Sequence, residues 1–210
     1  MMYTSNFEDI QALLRFEKPG DFYFVQIIKR RKENPDMTGD SKIIRDYFIY
    51  SIEDYNRQWN DIRRDCDSSG ARAYIRLNVR NSDTIALLLL KRLADLISSG
   101  ETKAVRNAYS AVCGEYHQDP NKKWIIDLDN PTGLVEAHVR SVIEDLWSRN
   151  EKGGAVIAEI QTPNGKHLIT TPFDMQRFKA ECPTVDVHRD NPTVLYSPFN
   201  KTVPSNFVWA

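Results

Sequence analysis

Apolar positions recur along this chain in two periods, and the changes of period mark out its elements. Phe7, Ile10, Leu13 and Leu14 follow helical spacing behind a capping Ser5, which predicts a short amphipathic helix over 5–16. Lys18-Pro19-Gly20-Asp21 is a turn, and the aromatic and branched residues of 22–29 predict a strand. A polar loop over 30–41 leads to a second strand over 42–50. Residues 52–65 predict a helix, with Glu53 and Asp54 in its first turn and Arg63 and Arg64 in its last, where each complements the helix dipole. Over 71–78 the alternation is strict: Ala71, Ala73, Ile75 and Leu77 face one way, and Arg72, Tyr74, Arg76 and Asn78 the other. That predicts a half-buried strand with a cationic outer face. Residues 82–98 form the clearest helix, and 102–113 predict another.

The remaining pattern is a strand over 124–129 that ends in acids, a helix over 133–149 closed by Gly153-Gly154, and a hairpin of 155–162 with 166–171. Asn164-Gly165 in that hairpin is the strongest turn signal in the chain. Asp174 caps a short helix ending near Cys182-Pro183, strands follow over 185–187 and 193–196, and the tail with Pro198 and Pro204 is extended. No repeat or linker interrupts the 210 residues. Hairpins interspersed with single crossovers predict one α/β (α+β) domain, a mixed sheet with helices packed on it.

Composition narrows the chemistry. A formal net charge of -1 excludes a basic footprint over the whole surface, so any nucleic-acid contact is local. Lys29-Arg30-Arg31-Lys32 is one such locality, read either as a solvated loop after a strand or as a phosphate-contacting patch. Cys66, Cys113 and Cys182 form no CxxC, which argues against a disulfide framework or zinc knuckle and fits a reducing compartment. The N-terminus lacks the apolar core of a signal peptide, and the longest apolar run, Ile85 to Leu90, is too short to cross a bilayer. A cytoplasmic protein without membrane contact is expected.

Three stretches carry candidate chemistry. In Trp124-Ile125-Ile126-Asp127-Leu128-Asp129, two carboxylates on one strand face stand roughly 6.5–7 Å apart along the strand and repel unless a cation lies between them. Hard oxygen donors suit Mg²⁺ or Mn²⁺; the alternative is a strand running into an acidic turn. In Thr162-Pro163-Asn164-Gly165-Lys166-His167-Leu168-Ile169, Lys166 and His167 lie just beyond a tight bend on opposite faces. In Val185-Asp186-Val187-His188, Asp186 and His188 share a strand face, as residues of an edge strand or of a site.

In order, these read hhhDhD, Gly-x-His at a strand start, then h-Asp-h, with h apolar. The pattern resembles the catalytic core of the archaeo-eukaryotic primase superfamily, particularly the small primase-polymerase domains of phages and plasmids. The resemblance implies a metal-dependent nucleotidyltransferase with an N-terminal αβ module (1–115) and an RNA-recognition-motif-like module (116–210). Asp127, Asp129 and Asp186 would bind Mg²⁺ or Mn²⁺, and His167 would contact the incoming nucleotide's triphosphate. Lys166, Arg72 and Arg76 are the candidate cations for that triphosphate, since a guanidinium fork meets phosphate oxygens bidentately. The implied partners are nucleoside triphosphates and a single-stranded or primed DNA template, in a bacterial or phage-infected cell, with any helicase acting in trans. Departures from the pattern are His188-Arg189-Asp190-Asn191-Pro192, where many relatives carry a Gly-rich turn, and the lack of a zinc module.

Two rivals remain open at this level. A PD-(D/E)xK-type nuclease would use Asp127 or Asp129 with Glu159-Ile160-Gln161, making Glu159 indispensable. A catalytically inactive relative would keep the fold to bind nucleic acid or a partner. No GxSxG, Walker loop or GxGxxG supports a hydrolase, kinase or dehydrogenase.

Overall fold

The computed structural model describes residues 3–117, 119–149 and 154–199. The chain runs β1 (Thr4–Ser5), α1 (Phe7–Gln11), β2 (Asp21–Arg30), β3 (Ser41–Ile49), α2 (Ile52–Ser69), β4 (Arg72–Ile75), β5 (Arg80–Asn81) and α3 (Ser82–Ser98). A 3₁₀ turn, Thr102–Asn107, leads into α4 (Ala108–Glu115). Then come β6 (Trp124–Asp129), α5 (Gly133–Arg149), β7 (Val156–Thr162), β8 (Gly165–Thr170), α6 (Met175–Glu181), β9 (Asp186–His188) and β10 (Thr193–Ser197). The α+β class expected from the sequence is what is found. Where a mixed sheet was expected, the strands form two antiparallel sheets.

The first sheet has the order β1-β10-β4-β2-β3, with β5 paired to the start of β2. Its strongest helix, α2, starts where the Ser51 side chain accepts the Asp54 N–H and stops at Gly70, whose φ of 59° suits a residue without Cβ. α2 and α1 cover one face through Ile10, Tyr55, Ile62 and Cys66, against Val25, Ile27, Ala73 and Ile75. α3 and α4 cover part of the other through Ile85, Val112 and Cys113 against Phe22 and Phe24.

Two expectations give way here. The helix over 5–16 shrinks to Phe7–Gln11, because Thr4 and Ser5 pair instead with Ser197 and Tyr196 of β10. The cationic outer face of 71–78 does not face solvent: Arg72 and Tyr74 are buried, and Arg76 turns to Asp190. Strict alternation marks the two faces of a strand, but it does not reveal whether the polar face meets water or another layer of protein.

The second sheet has the order β7-β8-β6-β9 and is built from β6-α5-β7-β8-α6-β9. That is the βαββαβ connectivity of RNA-recognition-motif-like units. Helices α5 and α6 cover one face, where Ile126, Leu128 and Leu168 meet Val139, Ile143 and Phe178. The other face meets the core of the first sheet through Ile125, Ile160 and Ile169. β10 then returns to the first sheet, so the chain that supplies the second sheet also supplies a strand to the first. The expected Gly153 turn and the tail beyond residue 199 lie outside the described residues. Among the described residues, no helix is long and apolar enough to cross a membrane.

Candidate active site

The site begins with the two-residue period of β6. Ile126 and Leu128 are committed to the helix-covered face, so Ile125, Asp127 and Asp129 occupy the opposite one. Antiparallel register partners share a face. Asp127 is opposite His167 on β8 and opposite Asp186 on β9. Asp129 is opposite Gly165, and Ile125 opposite His188. The three short motifs therefore meet on adjacent strands of one face, with Asp127 at the centre.

Gly165 has a steric reason to be glycine. A Cβ there would lie 2.0 Å from the Leu128 carbonyl oxygen and 2.9 Å from the Asn130 nitrogen. The closeness follows from the turn, where Asn130 N–H donates to the Asn164 carbonyl at 2.7 Å. Gly165→Ala is expected to destabilise the protein by about 1–3 kcal/mol, the usual cost of overpacking. Denaturant melts measure it, and a wild-type midpoint would remove the steric account.

His167 Nδ1 lies 2.8 Å from the Thr193 hydroxyl, and Nε2 lies 3.5 Å from Asp127 Oδ1. Burial, reinforced by His188, pushes its pKa down to about 4, so the ring is neutral at neutral pH. The contacts fit Nε2–H turned to Asp127 and Nδ1 accepting from Thr193. Between pH 6.5 and 4 the unfolded chain takes up a proton that folded His167 refuses. Its contribution to stability is complete above about pH 6.5 and falls by about 3 kcal/mol as pH drops to 4. His167→Gln is expected to flatten that part of the stability profile, measured by urea titration with chelator present. An unchanged slope would contradict it.

Burial, then the charges of Asp129 and Asp186, raise the Asp127 pKa, while His188 opposes them. The Asp129 and Asp186 side chains make no hydrogen bond or ion pair among the described residues. Among the described residues, the face thus carries three carboxylates without a cationic side chain bound to any of them.

A cleft of about 410 Å³ separates this face from the free end of the first sheet. Asp127, Asp129, His167 and His188 line one wall, and Arg30, Lys32, Arg72 and Tyr74 the other. Arg30 donates to the Tyr74 hydroxyl at 3.1 Å; that bond, with the charges of Glu33 and Asp129, raises its pKa despite burial. Arg72 has a side chain only 6% exposed and is bound to Glu33 at 2.7 Å, while its Nε has no acceptor among the described residues. A buried guanidinium N–H without a partner carries a desolvation cost that an anion in the cleft would relieve.

Not every candidate reaches the cleft. Lys166 points to the helix side, where it binds Glu136 at 3.0 Å and Glu159 at 3.2 Å; alternation along β8 puts it opposite His167. Its expected place on the triphosphate is therefore replaced by a surface ion-pair network. Arg76 turns to Asp190, 3.6 Å away, and is absent from the cleft lining. Asp186 shares the face but is exposed at its rim. Glu159 lies on the Lys166 side, bound to Arg140, so it is separated from Asp127 by the thickness of the sheet, which removes the paired-acid geometry of the nuclease. Sequence reasoning missed Thr193, which had no signal, and singled out Arg30 and Lys32 only as part of a basic run.

An all-carboxylate donor set with no cationic partner fits a hard divalent ion. Among the described residues, no three His, Cys, Asp or Glu side chains stand close enough together to hold one. Comparison with family models, curated proteins and solved structures found no match to the chain.

Proposed function

We propose that this protein is a metal-dependent nucleotidyltransferase of the primase-polymerase kind, adding nucleotides to a nucleic-acid 3′ end or starting a primer. One observation carries the reading: Asp127, flanked across strands by His167 and Asp186, faces Arg30, Lys32 and Arg72 over a cleft. A wall of carboxylates opposed to a wall of cations is complementary to a nucleoside triphosphate with its divalent ion.

Asp127, Asp129 and Asp186 would hold Mg²⁺ or Mn²⁺ after side-chain rotation draws them together. Such ions activate a 3′-hydroxyl and neutralise charge developing on phosphate. Arg30, Lys32 and Arg72 would bind the phosphate oxygens, with Arg72 supplying the N–H that now lacks an acceptor. Neutral His167, held at Nδ1 by Thr193, would turn its single Nε2–H from Asp127 to a phosphate oxygen when Asp127 is taken up by the metal, without adding a buried charge. The α-phosphate is attacked by the 3′-oxygen and pyrophosphate leaves. This reading assigns the protein to the cytoplasm of a bacterial or phage-infected cell, where its substrates are.

Labelled-nucleotide incorporation on single-stranded and primed templates, with Mg²⁺ or Mn²⁺ and with chelator, is the test. Metal-dependent product is expected, and Glu159→Ala is expected to retain it within about threefold, because exposed ion pairs of this kind contribute little. No product under any condition overturns the reading; metal-dependent template cleavage lost in Glu159→Ala would favour the nuclease instead.

A further inference from the structure

Helix α3 carries apolar residues on two opposite sides, and the fold uses one of them. Ile85 is buried against Phe22 and Phe24 with Leu88 packed beside it, and Leu96 is buried too. On the other side Leu87 is 70%, Leu90 65% and Ile97 63% exposed, and Ala94 is exposed between them. With 3.6 residues per turn these four fall in one stripe about 80° wide, roughly opposite Ile85. Their spacing of three, four and three residues is that of a seam along which helices pair. A single exposed leucine needs no explanation, but this stripe is contiguous. Three aliphatic side chains about two-thirds exposed make a patch on the order of 400 Å², as large as a monomer ordinarily leaves bare.

The two flanks of the stripe differ, and the difference selects a partner. Ala86 and Leu93 border it on one side. Lys91 and Asp95 border it on the other, both exposed, and among the described residues neither side chain makes a hydrogen bond or ion pair. Parallel pairing of two copies would lay the charged flank of each helix on the apolar flank of the other. Antiparallel pairing about a two-fold axis at the level of Arg92 sets apolar flank on apolar flank and charged flank on charged flank. Leu87 then opposes Ile97 of the second copy, and Leu90 opposes the smaller Ala94, so large meets small across the seam. Lys91 comes beside Asp95 of the second copy, and the symmetry repeats that pair. Two such patches with their rims bury on the order of 1,000 Å², the lower bound for a specific pair.

We infer that α3 is the contact surface of a homodimer, in which two copies of this chain pair antiparallel through Leu87, Leu90, Ala94 and Ile97. None of these residues lines the cleft between the acids and the cations, so the pairing is independent of the nucleotidyltransferase reading. An interface at the small end of the specific range gives a dissociation constant of about 1–100 μM, and assembly follows protein concentration.

The test is sedimentation velocity of the full chain at concentrations spanning roughly 1–300 μM, where mass action carries such a pair from monomer to dimer. Leu90→Glu is expected to weaken the dimer at least about 30-fold, the loss typical of a central contact residue. Leu90 is exposed in the monomer, so this variant should keep the wild-type circular dichroism. Lys91→Glu is expected to weaken the dimer about tenfold by setting acid beside Asp95. Adding Asp95→Lys to it is expected to restore the wild-type constant, a reversal that requires the two positions to meet. A wild-type chain that stays monomeric throughout overturns the inference, whether or not nucleotide incorporation is observed. A dimer that Leu90→Glu leaves intact also overturns it. Failure of the double substitution to recover what Lys91→Glu lost overturns the antiparallel arrangement.

Discussion

Asp127→Asn is expected to reduce metal-dependent nucleotide incorporation by about 10³-fold or more while leaving the fold at least as stable as wild type. The activity side follows from position. Asp127 is the central carboxylate, opposite both His167 and Asp186. Loss of a metal's charge stabilisation is worth several kcal/mol, and each 1.4 kcal/mol is about tenfold in rate. The stability side follows from electrostatics. Burial and the charges of Asp129 and Asp186 raise the Asp127 pKa, so the folded state holds this carboxylate at a cost. The amide keeps the size and removes the repulsion. Incorporation and thermal melting on the same preparation measure both. Retained activity would show that Asp127 is not a metal ligand, and a large fall in melting temperature would show that it is structural.

Arg80→Met is expected to cost about 3–5 kcal/mol, the range for breaking a buried ion pair from one side. Arg80 is fully buried, and its guanidinium donates to Asp190 Oδ2 at 2.6 Å, to the Cys113 carbonyl at 2.8 Å and to the Asn78 carbonyl. Removing it strands two carbonyls and a carboxylate that Arg76 and Asn78 compensate only in part. For a domain of this size the melting temperature should fall by roughly 6–20 °C. Arg80→Lys keeps the charge but not the fork and should fall between. Asp190 anchors the connection from β9 to β10, which places Asn191 and Pro192 in the cleft wall and Thr193 against His167. Incorporation should therefore fall too, mainly through a higher KM. A change below about 1 kcal/mol would mean that the network relaxes around the substitution.

Arg80 also shows where sequence reading stops. Nothing in Asn78-Val79-Arg80-Asn81 distinguishes a buried arginine from a solvated one, because its partners Cys113 and Asp190 are distant in the chain. Arg72, Arg76 and Lys166 share that difficulty. Their charge is evident, but their acceptors, Glu33, Asp190 and Glu136, are supplied by other elements.

What the sequence by itself determined is local: the β7–β8 hairpin around Asn164-Gly165, the helices α2, α3 and α5, and the common face of Asp127 and Asp129. These depend on turn chemistry and side-chain period, which act over a few residues. Only the tertiary structure decided that Asp127 meets His167 and Asp186, that β10 returns beside β4, and that Arg30 and Lys32 face the acids while Lys166 does not. Those outcomes depend on strand order and register, which are fixed by which apolar faces are buried together across the whole chain.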